Sequence, residues 1–262
     1  MMHRFDGLLG AGSSIPRGRR RFRLGDPTHP SSVLRWTRDP RRRSIAAKYL
    51  AGSGLLSVAA FVLGGMELSL LWPAVALAHV AGCYGFLGTS GFAKRADGTM
   101  PVAVRAALAP YLLGAWINTR LWTLRLEGPI RVTDDVWVGR FPSENDLRRI
   151  GAASVVDLTA EIPARRRDMI WHSVPMLDLV TPRVAMLRSV ADAIERLRRA
   201  GPVLVSCAIG RSRSAAAVAT WLLASGRACT AAEAVARLES VGLRPALDDA
   251  DLRAIAAAGG EA

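Results

Sequence analysis

Two long apolar runs stand side by side in the first third of the chain. Residues 45–66 contain one charged side chain, Lys48, and residues 68–90 contain none, although His79 lies within them. Each run is close to the length of about 20 residues that a membrane-spanning helix needs. Only Glu67 separates them, which leaves no room for a domain between the two. We therefore predict a transmembrane helical hairpin whose two ends lie on the same side of the membrane.

The net charge of +13 is concentrated near the amino terminus. Residues 1–48 carry twelve basic and three acidic side chains, whereas residues 131–262 carry eighteen and sixteen. Lys94 and Arg95 follow the second apolar run, so by the positive-inside rule both flanks of the hairpin lie in the cytoplasm. A basic arm can also bind nucleic acid, but arginines just before an apolar run more often contact anionic lipid. We expect a membrane partner and no nucleic acid.

The segments around the hairpin differ in character. Residues 1–44 are rich in Gly, Pro, Ser and Arg without a sustained period, which predicts a disordered basic cytoplasmic arm. The first long apolar run begins too late for a secretory signal peptide. The predicted membrane segment covers residues 45–125, and within it residues 101–117 carry Arg105 and two prolines. For this reason, and because Trp116, Arg120 and Trp122 stand at its end, we interpret 101–117 as an interfacial helix. A spanning helix there would turn the second half of the chain outward.

Cysteine use and composition indicate the compartment. Cys83, Cys207 and Cys229 show neither metal-ligand spacing nor a disulfide framework, which fits a reducing compartment. Lysine is scarce while alanine and arginine abound, as in GC-rich bacterial genomes. We expect a multi-pass protein of a bacterial inner membrane with its second half in the cytoplasm.

Beyond Arg131 short β-like runs alternate with amphipathic helices, which is typical of an α/β layer fold. The predicted strands are Val136–Val138, Ser154–Leu158, Ile170–Val174 and Val203–Ser206. The predicted helices are Ser143–Ile150, Arg183–Ala200, Ser214–Ser225, Thr230–Val241 and Asp248–Ala257. We expect one α/β domain over residues 131–260, with a central sheet flanked by helices.

One strand-to-helix junction in this half is suited to bind an anion. Pro202–Ser206 predicts a buried strand, Cys207–Ser212 a loop, and Arg213 the start of an alanine-rich helix. Backbone N–H groups of such a loop converge on a bound phosphate, and the helix dipole adds to them. Gly210 permits the tight backbone. The same field favours the thiolate form of Cys207, which is the nucleophilic form of a cysteine.

Two further side chains of the junction suit phosphate chemistry. Arg213, six positions after Cys207, can offer two parallel N–H bonds to two phosphoryl oxygens. Ser214 can place a hydroxyl near the sulfur and steady the thiolate when it leaves. The phosphate-binding loop between them consists of Ala208, Ile209, Gly210, Arg211 and Ser212. Arg211 either attracts anionic substrate at the mouth of this loop or is simply solvated.

The Cys-x5-Arg pattern, with Gly210 inside it and Ser214 after it, resembles the signature of the protein tyrosine phosphatase superfamily. Its dual-specificity branch fits best, since Val136–Arg140, Val155–Thr159 and the Arg244-Pro245 pair are similar to that branch's framework. The resemblance covers about half of the chain. It implies a dual-specificity-phosphatase-like sheet flanked by helices, and hydrolysis of phosphomonoesters through a phosphocysteine, without metal or organic cofactor. The loop sequence Gly-Arg-Ser-Arg-Ser is also similar to that of mitochondrial phosphatases that act on phosphatidylglycerophosphate.

The resemblance also assigns a general acid. The family uses an aspartate on a loop before the cysteine, and Asp178 stands at the matching place, 29 residues before Cys207. Asp157 and Asp168 lie within or near predicted strands, so we interpret them as structural. The family usually has a histidine just before the nucleophile, whereas this chain has Ser206. Since that histidine helps to orient the cysteine and its loop, the resemblance implies that its loss either raises the pKa of the thiol or loosens the loop, although a serine hydroxyl can still form a local hydrogen bond.

Several functions remain open on the sequence alone. A dual-specificity protein phosphatase ranks first and a phospholipid phosphatase close behind, with a phosphoprotein or a phospholipid as the substrate. Ser206 motivates a third reading, a pseudophosphatase that binds phosphate without turnover. A membrane scaffold with a vestigial loop is the least supported. The run Arg165-Arg166-Arg167 either contacts headgroups or substrate, or is a solvated stretch of loop.

Overall fold

The computed structural model describes residues 36–124, 128–164 and 169–260. The nine α-helices of these residues are α1 Pro40–Leu63, α2 Leu71–Gly82, α3 Val102–Ala107, α4 Ala109–Thr123, α5 Glu144–Ile150, α6 Val184–Leu197, α7 Arg213–Ala224, α8 Ala231–Ser240 and α9 Asp249–Gly259. The five strands are β1 Ile130–Arg131, β2 Val136–Arg140, β3 Ser154–Thr159, β4 Ile170–Met176 and β5 Val203–Cys207.

The first apolar run forms α1, which begins earlier than predicted. Asp39 caps the helix by accepting hydrogen bonds from the N–H groups of Arg41 and Arg42, and Pro40 occupies the first helical position. The last residues of the predicted disordered arm, 40–44, are therefore helical. Residues 1–35 of that arm lie outside the described residues.

The second apolar run is helical but not uniform. After a turn at Gly64 and Gly65, whose φ angles are 65° and 62°, it continues through a 3₁₀ turn into α2 and then a π turn, Cys83–Leu87. Residues 40–63 and 65–92 are long and apolar enough to cross a membrane, judged by length and composition. His79 contacts the carbonyl oxygen of Gly91 through Nε2 at 2.8 Å, so its ring is used within the helical run itself.

The predicted interfacial helix is broken in two. Helices α3 and α4 meet at Leu108, whose side chain is buried. The break has a local cause, since Pro110 has no N–H to donate to the carbonyl of Ala106. Helix α4 then runs on to Thr123, beyond the predicted end at Ile117.

The central sheet has the order β1-β2-β5-β3-β4. Strands β2, β5, β3 and β4 are parallel, whereas the short β1, which the sequence did not predict, pairs antiparallel with β2. Because β5 lies in the middle and all of its residues are buried, its carboxyl end at Cys207 is enclosed by neighbours on both sides. The predicted α/β class, a central sheet flanked by helices, is confirmed.

Side chains alternate between two apolar layers across β5. Val203 and Val205 face the main core, which helices α6, α7 and α9 supply. Leu204 faces the opposite way, into a smaller cluster with Leu147 and Ile150 of α5. This period of two is what a strand buried on both faces requires, and it fixes which way Cys207 points.

The hairpin packs directly onto one end of the sheet. Its buried residues Cys83, Tyr84 and Phe92 share a cluster with Ala160, just after β3, and Leu177, just after β4. Residues 93–100, which we call the strap, continue from the hairpin along the sheet. The strap is hydrogen-bonded at two points, from Ser173 N to Ala96 O at 2.8 Å and from Ala164 N to Gly98 O at 2.9 Å.

One residue of the strap differs from the expectation. Lys94 was interpreted as a charge flanking the membrane, but its side chain is fully buried beneath the sheet and ion-paired with Asp157 at 2.6 Å. A buried ammonium needs such a partner, so Lys94 is not available to lipid headgroups. Arg95, next to it, is exposed.

Candidate active site

Cys207 is the last residue of β5 and is 3% exposed. Its sulfur accepts a hydrogen bond from the N–H of Gly210 at 3.2 Å. The hydroxyl of Ser214, on the first turn of α7, lies 3.3 Å from the same sulfur. An N–H donor and a hydroxyl that can donate therefore meet at one sulfur atom. The second contact brings the predicted nucleophile and Ser214 together, as the sequence predicted.

The loop after Cys207 folds tightly over the end of β2. Gly210 has φ 87°, and a Cβ there would lie 2.5 Å from the carbonyl carbon of Gly139 and 2.6 Å from the nitrogen of Arg140. Both the backbone angle and the close approach require glycine. A hydrogen bond from Phe141 N to Ala208 O, at 3.2 Å, fixes the first part of the loop.

The same loop leaves donors free. Within the part of the chain that the structure describes, the backbone N–H groups of Ile209, Arg211 and Ser212 donate to no other group. The first N–H groups of α7, which begins at Arg213, have no partner inside the helix either. A loop of unpaired N–H groups leading into a helix amino terminus is an anion receptor.

Arg213 is 1% exposed, three of its five N–H donors form hydrogen bonds, and Nη2 also forms an ion pair. Its two terminal nitrogens donate to the two carboxylate oxygens of Glu161, at 3.1 and 2.9 Å. Nη1 also donates to Met176 O at 3.0 Å, and Nη2 lies 3.1 Å from Oδ1 of Asp178. The fifth donor, Nε, is buried without a partner. The edge formed by Nε and Nη2 can therefore take a bidentate oxyanion.

The buried pair of Arg213 and Glu161 is charged. Burial by itself would raise the pKa of Glu161, but the Arg213 guanidinium holds that pKa below its usual range. Burial likewise opposes the charged form of Arg213, yet the carboxylates of Glu161 and Asp178 raise its pKa well above the ordinary value. Both ion-pair partners therefore stay ionised.

Glu161 is a functional residue that was not predicted from the sequence. It stands two residues after β3, at the carboxyl edge of parallel strands and next to the end of β5. That edge is where α/β sheets place their ligand-binding residues, so its position in the chain was the available signal. Only the fold shows that it faces Arg213.

Asp178 lies where the sequence predicted a functional carboxylate, on the loop after β4. Its side chain is 40% exposed, so it stands at the mouth of the site while still contacting Arg213. The next residue, Leu179, has φ 57°, an uncommon conformation for a residue with a Cβ. The hydroxyl of Tyr84, from the hairpin, donates to the carbonyl oxygen of Asp178 at 3.2 Å.

The remaining loop residues have separate surroundings. Ala208 and Ile209 pack against Phe141 and Ile162, which closes one side of the loop. Arg211 is exposed, and its Nε donates to Arg244 O at 2.8 Å. Ser212 precedes α7, but its side chain makes no capping hydrogen bond.

The hydroxyl of Ser206 is buried and has no hydrogen-bond partner among the described residues, so it does not form the local hydrogen bond that a serine can make. The cause is its position inside β5, where the backbone groups are already paired with β2 and β3. A buried hydroxyl without a partner destabilises the fold.

Asp157 has a structural environment. It is fully buried and accepts hydrogen bonds from Lys94, from Thr159 and from the indole N–H of Trp171. Asp168 and the run Arg165-Arg166-Arg167 lie outside the described residues. Among the residues that are described, no cluster of three or more His, Cys, Asp or Glu side chains could hold a metal ion.

Comparisons with known proteins give matches in structure alone. No protein-family model matches the chain, and no curated protein does. The solved structure of PTPMT1 in complex with PI(5)P matches with a TM-score of 0.46 and 17% identity, over 52% of this chain and 96% of that one. Tk-PTP in its active form gives 0.46 and 21%, over 52% and 99%. Human DUSP28 gives 0.44 and 24%, over 50% and 95%. With scores this low, these likenesses support no functional argument.

Proposed function

We propose that this chain is a cysteine-dependent phosphatase of the dual-specificity type that hydrolyses phosphomonoesters through a phosphocysteine. One observation carries the proposal. Arg213 is buried and fixed by Glu161, yet its Nε–H is left without a partner close to a loop of unpaired N–H groups and to Cys207. A buried donor that is held rigid but unused points to a bound oxyanion.

In the first step, the thiolate of Cys207 attacks the phosphorus atom. A P–S bond forms and the P–O bond to the leaving group breaks. Arg213 binds two phosphoryl oxygens through Nε and Nη2, which displaces Asp178 from its 3.1 Å contact with Nη2. The released carboxylate of Asp178 takes up a proton from solvent and passes it to the leaving oxygen, as a general acid does.

In the second step, the carboxylate of Asp178 takes a proton from water, and the water oxygen attacks the phosphorus atom. The P–S bond breaks and inorganic phosphate leaves. Ser214, 3.3 Å from the sulfur, donates a hydrogen bond to the departing thiolate. All these groups belong to the chain itself, so the proposed cycle requires neither a metal nor an organic cofactor.

Membrane attachment is part of the proposal. Leu55, Phe61 and Val62 of α1 are 71%, 71% and 77% exposed, on a helix long enough to span a bilayer. A soluble protein rarely exposes a continuous apolar surface of this kind. The hairpin also packs beside the segments that carry Glu161 and Asp178. We therefore place the site close to the cytoplasmic face of a bacterial inner membrane.

This nearness favours a second substrate class. A phospholipid headgroup phosphate could reach the site directly from the bilayer, whereas a phosphoprotein would approach from the cytoplasm. The experiment is phosphate release by the detergent-solubilised full chain on phosphatidylglycerophosphate, a phosphoinositide and a phosphotyrosine peptide. We expect turnover that Cys207→Ser abolishes, and the preferred substrate identifies the class.

The matched control is Cys229→Ser, because Cys229 is exposed and lies on the turn before α8. It should retain full activity on every substrate. Equal phosphate release by wild type and Cys207→Ser would refute the cysteine mechanism. Phosphate binding without turnover in the wild type would instead establish the pseudophosphatase reading.

A further inference from the structure

The strap inserts a fully buried cation beneath the active site. Lys94 Nζ lies 2.6 Å from Asp157 Oδ2, 2.9 Å from Thr159 Oγ1 and 2.7 Å from Thr159 O. It also lies 2.5 Å from Ile162 O, so four acceptors share the three N–H groups of one ammonium. One ammonium thus ties together the end of β3 and the turn that follows it.

Glu161 lies within the turn that Lys94 holds. The carbonyl groups of Thr159 and Ile162 stand on either side of it, and both accept from the same nitrogen. The backbone on both sides of Glu161 therefore has little freedom to move. Since both oxygens of Glu161 accept from Arg213, the turn sets where the guanidinium lies.

Charge links the same residues. Lys94 is close enough to contribute to the lowered pKa of Glu161, after the larger effect of Arg213. Without Lys94, Asp157 would remain buried with no counter-ion, since its other partners are Thr159 and the indole of Trp171.

The strap is built to hold Lys94 in this place. Its backbone after Lys94 is hydrogen-bonded at two points, where Ala96 O accepts from Ser173 of β4 and Gly98 O accepts from Ala164. Gly98 has φ 77°, and a Cβ there would lie 2.5 Å from the indole of Trp171. The indole N–H of Trp171 in turn donates to Asp157 at 3.0 Å. The lysine, its acceptor and the covering ring form one packed unit.

We propose that Lys94 is a positioning residue for catalysis, which sets Glu161 and, through it, the phosphate-binding edge of Arg213. The membrane hairpin then does more than attach the enzyme. Lys94, which positions Arg213 through Glu161, directly follows the second apolar run of the hairpin. This inference rests on the proposed function, and it adds a residue that the cysteine loop itself does not contain.

The test is a double-mutant cycle in the full chain, with Lys94→Met and Glu161→Gln made alone and together. Activity is measured as kcat/KM on an aryl phosphate. Displacing a catalytic group by about 1 Å can lower the rate about 100-fold, so we expect Lys94→Met alone to lose tenfold or more. In the Glu161→Gln background the same change should cost less than about twofold, since interacting residues are not additive.

Arg95→Met is the matched control, because it removes the neighbouring charge from an exposed side chain and should leave kcat/KM unchanged. If Lys94→Met fails to fold, Lys94→Met with Asp157→Asn removes the carboxylate that would be left unpaired. Two results would overturn the positioning role. The first is that the losses in kcat/KM of the two single variants multiply in the double variant. The second is a folded Lys94→Met protein whose kcat/KM is within twofold of that of Arg95→Met.

A binding measurement separates this inference from the proposed function. Calorimetric titration with inorganic phosphate measures a binding affinity that depends on the Arg213 guanidinium and needs no turnover. We expect Lys94→Met to bind phosphate at least tenfold more weakly than Arg95→Met. Absence of Cys207-dependent turnover would refute the proposed function alone. Equal phosphate affinity of the two variants would refute the role of Lys94, whatever the activity.

Discussion

Replacing Glu161 by glutamine tests the arginine clamp at its buried end. The change keeps the shape of the side chain but removes its charge and turns one acceptor into a donor facing Arg213. Because the pair is nearly inaccessible to water, with side chains 1% and 8% exposed, solvent cannot replace the lost partner. Removing one member of a buried ion pair typically destabilises a protein by about 3–5 kcal/mol.

The lower end of that range applies here. Arg213 would keep the carboxylate of Asp178 at 3.1 Å and the carbonyl of Met176 at 3.0 Å. A loss of about 3 kcal/mol corresponds to a fall in Tm of about 6–12 °C for a chain of this size, at about 2–4 °C per kcal/mol. We also expect kcat/KM on an aryl phosphate to fall by about 10- to 100-fold, since the phosphate-binding edge is no longer fixed.

The assay is thermal unfolding of the detergent-solubilised chain, combined with steady-state kinetics. Glu233→Gln serves as the control, because Glu233 pairs with Arg237 on the surface of α8, where solvent screens the pair. The reasoning is wrong if Glu161→Gln melts within about 2 °C of Glu233→Gln and keeps its activity.

Four further outcomes are expected. Gly210→Ala should abolish activity and lower Tm, because the added Cβ would lie 2.5 Å from backbone. Gly226→Ala is the control: its φ is 70° but the space around it is open, so it should lose only about 1–2 kcal/mol of stability and stay active. Equal activity and equal Tm of the two variants would contradict this. Ser206→Ala should stabilise the chain by about 1 kcal/mol by removing an unpaired hydroxyl, and a fall in urea midpoint would count against it. Asp178→Asn should lower kcat by about 100-fold or more on phenyl phosphate but much less on p-nitrophenyl phosphate, whose leaving group needs no proton, and equal losses on both would exclude a general acid. Folding lowers the pKa of Glu161, so the stabilisation that its charged form provides is complete above its unfolded pKa of about 4.3 and is lost as the pH falls through its folded pKa. Wild type should therefore lose stability in acid more steeply than Glu161→Gln, as urea midpoints would show.

Features set by local sequence were predictable. All four predicted strands exist, because short apolar runs between turns leave few alternatives to a buried strand. The loop from Cys207 to Arg213 was predictable for the same reason, since strand, glycine and helix start are neighbours in the chain. Asp178 was placed by resemblance, and the structure brings it to 3.1 Å from Arg213.

Features set by contacts between distant segments were not predictable. Glu161 and Arg213 are 52 residues apart, and Lys94 and Asp157 are 63 apart, so no spacing pattern joins them. A lysine after an apolar run is typical of a membrane flank, and nothing near Lys94 in the sequence indicates that it is buried. The unpaired hydroxyl of Ser206 likewise depends on what its two neighbouring strands already bond.

The strap also bears on how the molecule can be divided. Removing the chain up to and including Lys94 would leave Asp157 without its counter-ion. It would also expose Ala160 and Leu177, which pack against Phe92 and other hairpin residues. The α/β half made alone should therefore be inactive or insoluble, and a failed assay on that fragment would not reflect the chemistry of the intact protein. A membrane anchor from another protein would supply neither Lys94 nor the side chains that cover Ala160 and Leu177. The hairpin and the α/β half therefore form one structural unit.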